Sequence, residues 1–148
     1  MTDLAYPFTV ETGHVALYAR AVGDLEAGYP DATGNLVIPP TYLSSSVLFD
    51  PASPSRALPA EEARPASAGM AAEVHFEYHR PARMGERLTV TRRAGNSWQK
   101  SGKRGGTLSF TESVTEYMDS SGDLVCTIRR VAVTTERAIS TDNACLNA

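Results

Sequence analysis

The second half of the chain alternates between apolar and polar residues, and this period of two restricts the possible folds most. In the segment VHFEYHR, the apolar residues Val74, Phe76 and Tyr78 alternate with polar ones. The same spacing recurs in two further apolar pairs, Leu88 with Val90 and Leu108 with Phe110. Successive side chains of a strand point to opposite faces, so the pattern predicts half-buried β-strands.

Three turn-rich sequences separate these strands, namely RPARMGE, KSGKRGG and DSSGD. Gly, Pro, Asp and Ser favour turns, so we predict an antiparallel meander of about four long strands. The last strand is expected within Asp123 to Arg137, a segment long enough to cross a strongly curved sheet. An exposed edge strand would also favour pairing with a second copy or with a related chain.

The first half of the chain predicts an amphipathic helix over residues 11–22. Apolar side chains with helical spacing form one stripe, consisting of Val15, Tyr18, Ala19 and Val22. Thr9 or Thr12 is expected to cap the start of this helix, and Gly23 is expected to end it. His14 lies off the stripe, so we expect it to be exposed to solvent.

The remaining segments are mostly connections. The stretch PTYLSSSVLFD favours a second short helix with Pro40 in its first turn. Residues 51–69 contain four prolines, which predicts a flexible flap, either functional or disordered, and the 138–148 tail is expected to fray. A sheet covered by one or two helices is an α+β fold, and 148 residues are expected to form the single domain 1–148.

Composition argues against several classes of function. The net charge is −3 and the basic residues are scattered, so we expect no nucleic-acid binding. No apolar run approaches a membrane span and no targeting segment is visible, which predicts a cytoplasmic protein without membrane contact. Cys126 and Cys145 have neither disulfide density nor metal-ligand spacing. His75 and His79 share a strand face with Glu77, but alternation turns that face to solvent, so no metal or cofactor is expected.

The turn after the first helix, VGDLEAGY, has an unusual charge. A helix C-terminus carries partial negative charge and favours cations, yet Asp24 and Glu26 follow Gly23 here. Gly-Asp is also an ordinary turn pair, which makes Asp24 either a solvated turn residue or an acid–base group. Glu26 and Tyr29 have the same two interpretations, surface loop or functional group.

Four stretches, in this order and spacing, resemble the MaoC-like hot-dog family: PFTVETGHVALYARAVGD, IPPTYL, VHFEYHRPARMGERLTV and GDLVCTIRRVAVTTER. They are most similar to the N-terminal dehydratase-like half of two-part acyl-thioester hydratases and to mycobacterial-type 3-hydroxyacyl-thioester dehydratases. The resemblance implies a long curved antiparallel sheet wrapped around a central helix. It also implies an acyl-CoA or acyl-carrier-protein thioester as ligand, and a homodimer or a heterodimer with another hot-dog chain.

Active members of this family carry a motif whose Asp and His act as a general acid/base pair on the acyl chain. Placed on this chain, the motif keeps Tyr18, Gly23 and Asp24, but Glu26 replaces its Asn and Tyr29 replaces its His. Tyrosine has an ordinary pKa near 10 and is therefore a poor base at pH 7. The resemblance thus implies Asp24, Glu26 and Tyr29 as candidate catalytic residues in a degraded motif.

The resemblance further suggests residues that bind the substrate. Thr41 and Tyr42 lie where the central helix of the family begins, and N–H groups there could hold a thioester carbonyl as it gains negative charge. Alternatively, Tyr42 simply packs in the core. Tyr18 matches the aromatic residue of the motif. Arg80 matches an Arg-Pro pair at a strand end and either contacts a phosphate of the thioester carrier or pairs with a carboxylate.

Three functions fit these features. The chain is expected to be a subunit of an enoyl-thioester hydratase or 3-hydroxyacyl-thioester dehydratase that shapes the acyl-binding tunnel while a partner supplies the Asp/His pair. Alternatively, it is a stand-alone homodimeric dehydratase, isomerase or cyclase, less readily a thioesterase, that uses Asp24 with Glu26 or Tyr29. A third alternative is a binding subunit without chemistry. Fold alone does not separate these functions.

Overall fold

The computed structural model describes residues 4–24, 38–52, 69–102 and 106–135. The elements are, in chain order, strand β1 (Leu4–Thr9), helix α1 (Thr12–Val22), a 3-10 helix (Tyr42–Leu48) and strands β2 (Met70–Tyr78), β3 (Arg87–Gly102), β4 (Gly106–Met118) and β5 (Leu124–Thr135). Long strands and few helices confirm the predicted α+β class. No helix within these ranges is long and apolar enough to span a membrane.

Several predictions concern residues outside the described ranges. Among the candidate catalytic residues these are Glu26 and Tyr29. Cys145, the 138–148 tail and all but the ends of the predicted flap also lie outside them. Of the candidate site residues, the structure therefore places Asp24, Tyr18, Thr41, Tyr42 and Arg80.

All five strands form one antiparallel sheet in the order β1-β3-β4-β5-β2. β3, β4 and β5 are consecutive neighbours, as in the predicted meander. β2 departs from it, because β2 pairs with β5 at an edge of the sheet and not with β3. The 79–86 connection must therefore carry the chain to the other side of the sheet. Strand β1, which the sequence analysis missed, pairs with β3 at the opposite edge.

Helix α1 ends where the sequence predicts. Gly23 has a φ of 76°, a left-handed conformation that glycine adopts without a steric penalty. The backbone N–H of Gly23 donates to the carbonyl of Arg20 at 3.2 Å, and that of Asp24 donates to the carbonyl of Ala19 at 2.9 Å. These two bonds form a Schellman motif, so the position of the Asp24 backbone is fixed by the helix end.

The predicted face and start of α1 are only partly correct. Val15 and Ala19 are buried as expected, but Val22 is 52% exposed because it lies in the last turn, at the very end of the helix. Glu11 occupies the N-cap position with extended backbone and no side-chain capping bond. Neither of the two threonines predicted to cap the helix does so.

The predicted second helix forms as a short 3-10 helix, and Pro40 precedes it instead of lying in its first turn. The N–H of Tyr42 donates to the carbonyl of Pro39 at 2.9 Å. Three consecutive serines follow, and the first of them, Ser44, donates from its hydroxyl to the carbonyl of Thr41 at 2.7 Å. Serine hydroxyls compete for backbone hydrogen bonds, which disfavours a long regular α-helix here.

Buried tyrosines of the sheet hold this 3-10 helix. The hydroxyl of Tyr117 donates to the carbonyl of Leu43 at 2.7 Å, and the hydroxyl of Tyr6 donates to the carbonyl of Ser46 at 3.1 Å. The hydroxyls of Tyr117 and Ser46 are also 2.7 Å apart. The helical segment at the centre of the core is thus attached to β1 and β4 by polar contacts inside an apolar surrounding.

Candidate functional site

Three of the predicted substrate-binding residues, Tyr18, Thr41 and Tyr42, lie together. The hydroxyl of Tyr18 donates to Thr41 Oγ1 at 2.9 Å and approaches the carbonyl oxygen of the same residue at 3.1 Å. The rings of Tyr18 and Tyr42 meet edge to face, with their centroids 5.6 Å apart. The middle of α1 is therefore joined directly to the start of the 3-10 helix.

Tyr42 is fully buried, as the core interpretation predicts. Burial raises the pKa of its hydroxyl to about 12, although the backbone N–H of Glu11 acts in the opposite direction. The hydroxyl lies 3.0 Å from Nδ1 of His14. The expectation that His14 is exposed was wrong, because its ring packs against Tyr42 and is only partly accessible. Since the Tyr42 N–H is already bonded to Pro39, a carbonyl clamp at this position would depend on Thr41.

Tyr78 belongs to the same group of side chains, although the sequence analysis assigned it only to a strand. Its hydroxyl donates to the carbonyl of Pro40, and burial raises its pKa, with smaller contributions from Cys126 and Tyr18. Pro40 is 38 residues away in the sequence, so no local pattern identifies this contact. Alternation along the strand is the only signal that Tyr78 faces the helical side of the sheet.

Asp24 lies at the C-terminal end of α1 and is partly exposed. All three histidines of the chain are among the described residues. His14 is in the first turn of α1, and ten residues at about 1.5 Å each put it about 15 Å from Asp24 along the axis. His75 on β2 and His79, directly after that strand, are exposed, as predicted. Alternation turns His75 away from the face that carries Tyr78, and Nε2 of His79 lies 3.3 Å from Thr127 Oγ1.

The guanidinium of Arg80 bonds to residues outside this group of tyrosines. Its guanidinium pairs with Glu86 and with Asp119, the latter at 2.7 Å. The second carboxyl oxygen of Asp119 accepts the backbone N–H groups of Ser121 at 2.9 Å and Asp123 at 3.0 Å. Arg80 therefore ties the β2–β3 connection to the β4–β5 turn, which is the carboxylate alternative raised from the sequence. Contact with a phosphate remains a prediction.

The described residues contain no group of three or more His, Cys, Asp or Glu side chains that could hold a metal ion. Cys126 is a buried free thiol. Burial raises its pKa to about 11, so the thiol stays protonated at neutral pH and is a poor nucleophile. The candidate site thus consists of a neutral group of three tyrosines, Tyr18, Tyr42 and Tyr78, around the start of the 3-10 helix, and of one carboxylate, Asp24, at the end of α1.

Solved structures confirm the hot-dog fold. The truncated HadBC (3R-hydroxyacyl-ACP dehydratase) complex from Mycobacterium tuberculosis matches with TM-score 0.63 and 15% identity over 88% of this chain and 95% of that one. The ChsH1-ChsH2 complex from the same organism gives TM-score 0.65 and 16% identity over 92% and 86%. The R-hydratase PhaJ1 from Pseudomonas aeruginosa gives 0.58 and 14% over 92% and 81%.

No curated protein sequence matches this chain. The family model described as the FAS1-like dehydratase domain region, however, matches residues 5–128. This range covers all of α1, the 3-10 helix, β2, β3 and β4, all of β1 except its first residue, and part of β5. The chain therefore belongs to the FAS1-like dehydratase domain family.

Proposed function

We propose that this chain is a subunit of an enoyl-thioester hydratase or 3-hydroxyacyl-thioester dehydratase in which a second hot-dog chain supplies the Asp/His pair. Hydration of an enoyl thioester needs a base to take a proton from water as its oxygen bonds to the β-carbon, and an acid to protonate the α-carbon. The observation that carries the proposal is that Tyr29 stands where the motif has its His, while the one histidine of α1, His14, lies at the opposite end of that helix from Asp24. A pair of the family's kind would have to come from elsewhere.

The edge strand β2 supports a partner chain. Val74 is 44% exposed and Tyr78 is 38% exposed, although their alternation is that of a buried strand face. Exposed edge strands with apolar side chains favour pairing with another sheet. Two of the similar structures are complexes by their own titles, HadBC and ChsH1-ChsH2. A hot-dog partner on β2 would cover this face and extend the sheet.

In this proposal the chain contributes binding and shape. Tyr18 and Thr41 form part of the wall of the acyl-binding tunnel, with the buried ring of Tyr42 packed behind Tyr18, and Arg80 stands at its carrier end. Tyr42, with a pKa of about 12, stays protonated at neutral pH. It therefore does not serve as the base that activates water. The acyl group would arrive on coenzyme A or on a carrier protein.

The test is reconstitution with a hot-dog chain from the same organism that carries an intact Asp/His motif. We expect neither chain alone to hydrate enoyl-CoA substrates, and the mixture to do so. Replacing the motif His of the partner should lower the rate of the mixture by about 10²–10⁴-fold, whereas Asp24→Asn should leave it nearly unchanged. Absence of both complex and activity would overturn the proposal.

One observation favours the alternative of a stand-alone homodimer. Asp24 keeps the residue type of the family motif, and two backbone hydrogen bonds fix its place at the end of α1. Glu26 or Tyr29 would then take the role of the missing His. This alternative predicts turnover by the chain alone that Asp24→Asn abolishes, the opposite of the result expected above.

A further inference from the structure

A small cavity lies at the N-terminal end of α1, about 15 Å along the helix axis from Asp24. Its volume is about 190 Å³ and it is lined by Pro7, Phe8, Thr9, Glu11, His14 and Phe49. An engineered apolar cavity of about 150 Å³ is known to bind benzene. The cavity next to α1 therefore has room for a group slightly larger than one six-membered ring.

Three aromatic rings form its apolar walls. The ring of Phe8 is buried and lies 5.6 Å from that of Phe49, centroid to centroid. The imidazole of His14 meets both edge to face, at 6.4 Å from Phe8 and 5.1 Å from Phe49. Aromatic walls in this arrangement suit a flat or branched apolar group, because edge-to-face contacts stabilise a further ring.

The cavity also offers a hydrogen-bond donor. The Tyr42 hydroxyl keeps its proton at neutral pH, because burial raises its pKa to about 12. We therefore assign its own hydrogen to Nδ1 of His14, 3.0 Å away. In a neutral imidazole whose Nδ1 is an acceptor, Nε2 carries the hydrogen. The side chain that lines the cavity thus has Nε2–H as its donor.

We propose that this cavity binds a compact uncharged molecule with a ring-sized apolar body and one hydrogen-bond acceptor, such as a carbonyl oxygen, that receives the Nε2–H of His14. Glu11 also lines the cavity, and its negative charge disfavours anions there, because like charges at short range repel. The site uses neither Asp24 nor a partner chain, so it is independent of the hydratase proposal.

Acetophenone, ethylbenzene and benzoate are suitable probes, titrated into the full chain by calorimetry and by NMR of the histidine rings. We expect saturable one-to-one binding of acetophenone with a shift of the His14 ring signals. Ethylbenzene lacks the acceptor and should bind about fivefold more weakly. Benzoate should bind at least about fivefold more weakly because of Glu11, and Glu11→Gln should remove most of that difference.

Two neighbouring residues give a matched pair of variants. Phe49 is 52% exposed and lines the cavity, whereas Leu48 is 59% exposed and does not. Phe49→Ala should weaken acetophenone binding at least about fivefold, and Leu48→Ala should leave it unchanged. Absence of saturable binding, or equal binding by the two variants, would overturn the proposal. Neither result would affect the hydratase proposal, because no thioester, turnover or partner enters the assay.

Discussion

Arg80 connects two turns that are 39 residues apart in the sequence. Its partners are well shielded, since the side chains of Glu86 and Asp119 are 15% and 17% exposed. Hydrogen bonds between ionised groups are stronger than neutral ones, and shielding from water limits screening. We therefore expect this ion-pair group to stabilise the fold more than a surface ion pair does.

Arg80→Gln should lower the free energy of unfolding in urea at neutral pH by about 1–3 kcal/mol. Arg93→Gln is the matched control, because the Arg93–Glu116 pair is much more exposed, at 48% and 31%, and should change stability by less than about 0.5 kcal/mol. If Arg80→Gln left stability unchanged and instead weakened binding of coenzyme A thioesters, the phosphate alternative for Arg80 would be favoured.

The same group makes stability depend on pH on the acid side. Burial alone would raise the pKa of Glu86, but hydrogen bonds from Arg80 and from the Arg83 backbone outweigh it, and the pKa lies below its usual 4.5. Arg80 likewise holds the pKa of Asp119 below its usual 3.8. Lowered native pKa values stabilise the fold above the unfolded values and cease to do so as the pH falls through the native ones.

Urea unfolding should therefore show the wild-type chain losing stability as the pH is lowered from about 5 to about 2, with a smaller loss in Arg80→Gln. The variant lacks the guanidinium that separates native from unfolded pKa values. Parallel pH profiles for the two proteins would contradict this assignment of the acid-sensitive contacts.

Sequence patterns predict the environment of a single residue correctly where its contacts are local. Gly23 ends α1 because a local backbone motif requires it, whereas His14 was assigned to solvent. Its spacing of four from Tyr18 places both on one helix face, a signal that was available. Its partner Tyr42, however, is 28 residues away, and that contact depends on where the 3-10 helix packs.

At the scale of elements, the 3-10 helix depends on tyrosine hydroxyls of the sheet. Tyr117→Phe should lower the free energy of unfolding by about 1–3 kcal/mol, because it leaves the buried Leu43 carbonyl without its partner. Tyr78→Phe, compared in the chain without a partner, is the matched control: its hydroxyl also donates to a backbone carbonyl, but Tyr78 is 38% exposed and the acceptor residue Pro40 is exposed as well, so water can reach the Pro40 carbonyl. Equal losses in the two variants would contradict this difference.

Element type was easier to predict than element order. Alternation identified β2, β3 and β4 because it reflects which faces are buried, and the length of the segment from Asp123 to Arg137 predicted β5, but neither signal carries information about which strands are neighbours. The placement of β2 beside β5 results from pairing over long sequence separation. The central helix was predicted at residues 40–50, yet its 3-10 form follows from three serines and from contacts with Tyr6 and Tyr117 that no local pattern shows.

For the whole molecule, β2 is the expected interface with another hot-dog chain. Val74→Asp should convert an assembled species into a monomer in sedimentation experiments, because it places a charge on the apolar face of the edge strand. Val74 is 44% exposed, so the unfolding free energy should change by less than about 0.5 kcal/mol. Val74→Thr is the conservative control, and an unchanged assembly with Val74→Asp would place the interface elsewhere.

The fold of the whole molecule was predictable because four stretches follow the family in order and spacing. The functional site was harder to predict, because only part of the family motif remains and two altered positions of that motif, Glu26 and Tyr29, lie outside the described residues. What the structure adds is the position of His14, at the end of α1 opposite to Asp24.

The most direct test is hydration of short and long enoyl-coenzyme A substrates by the purified, folded chain alone, with Asp24→Asn as the control. If a partner supplies the catalytic pair, neither protein should show turnover above background. Turnover by the wild-type chain that disappears in Asp24→Asn would contradict the proposal that a partner supplies the pair, and would show that the altered turn is itself a working catalytic site.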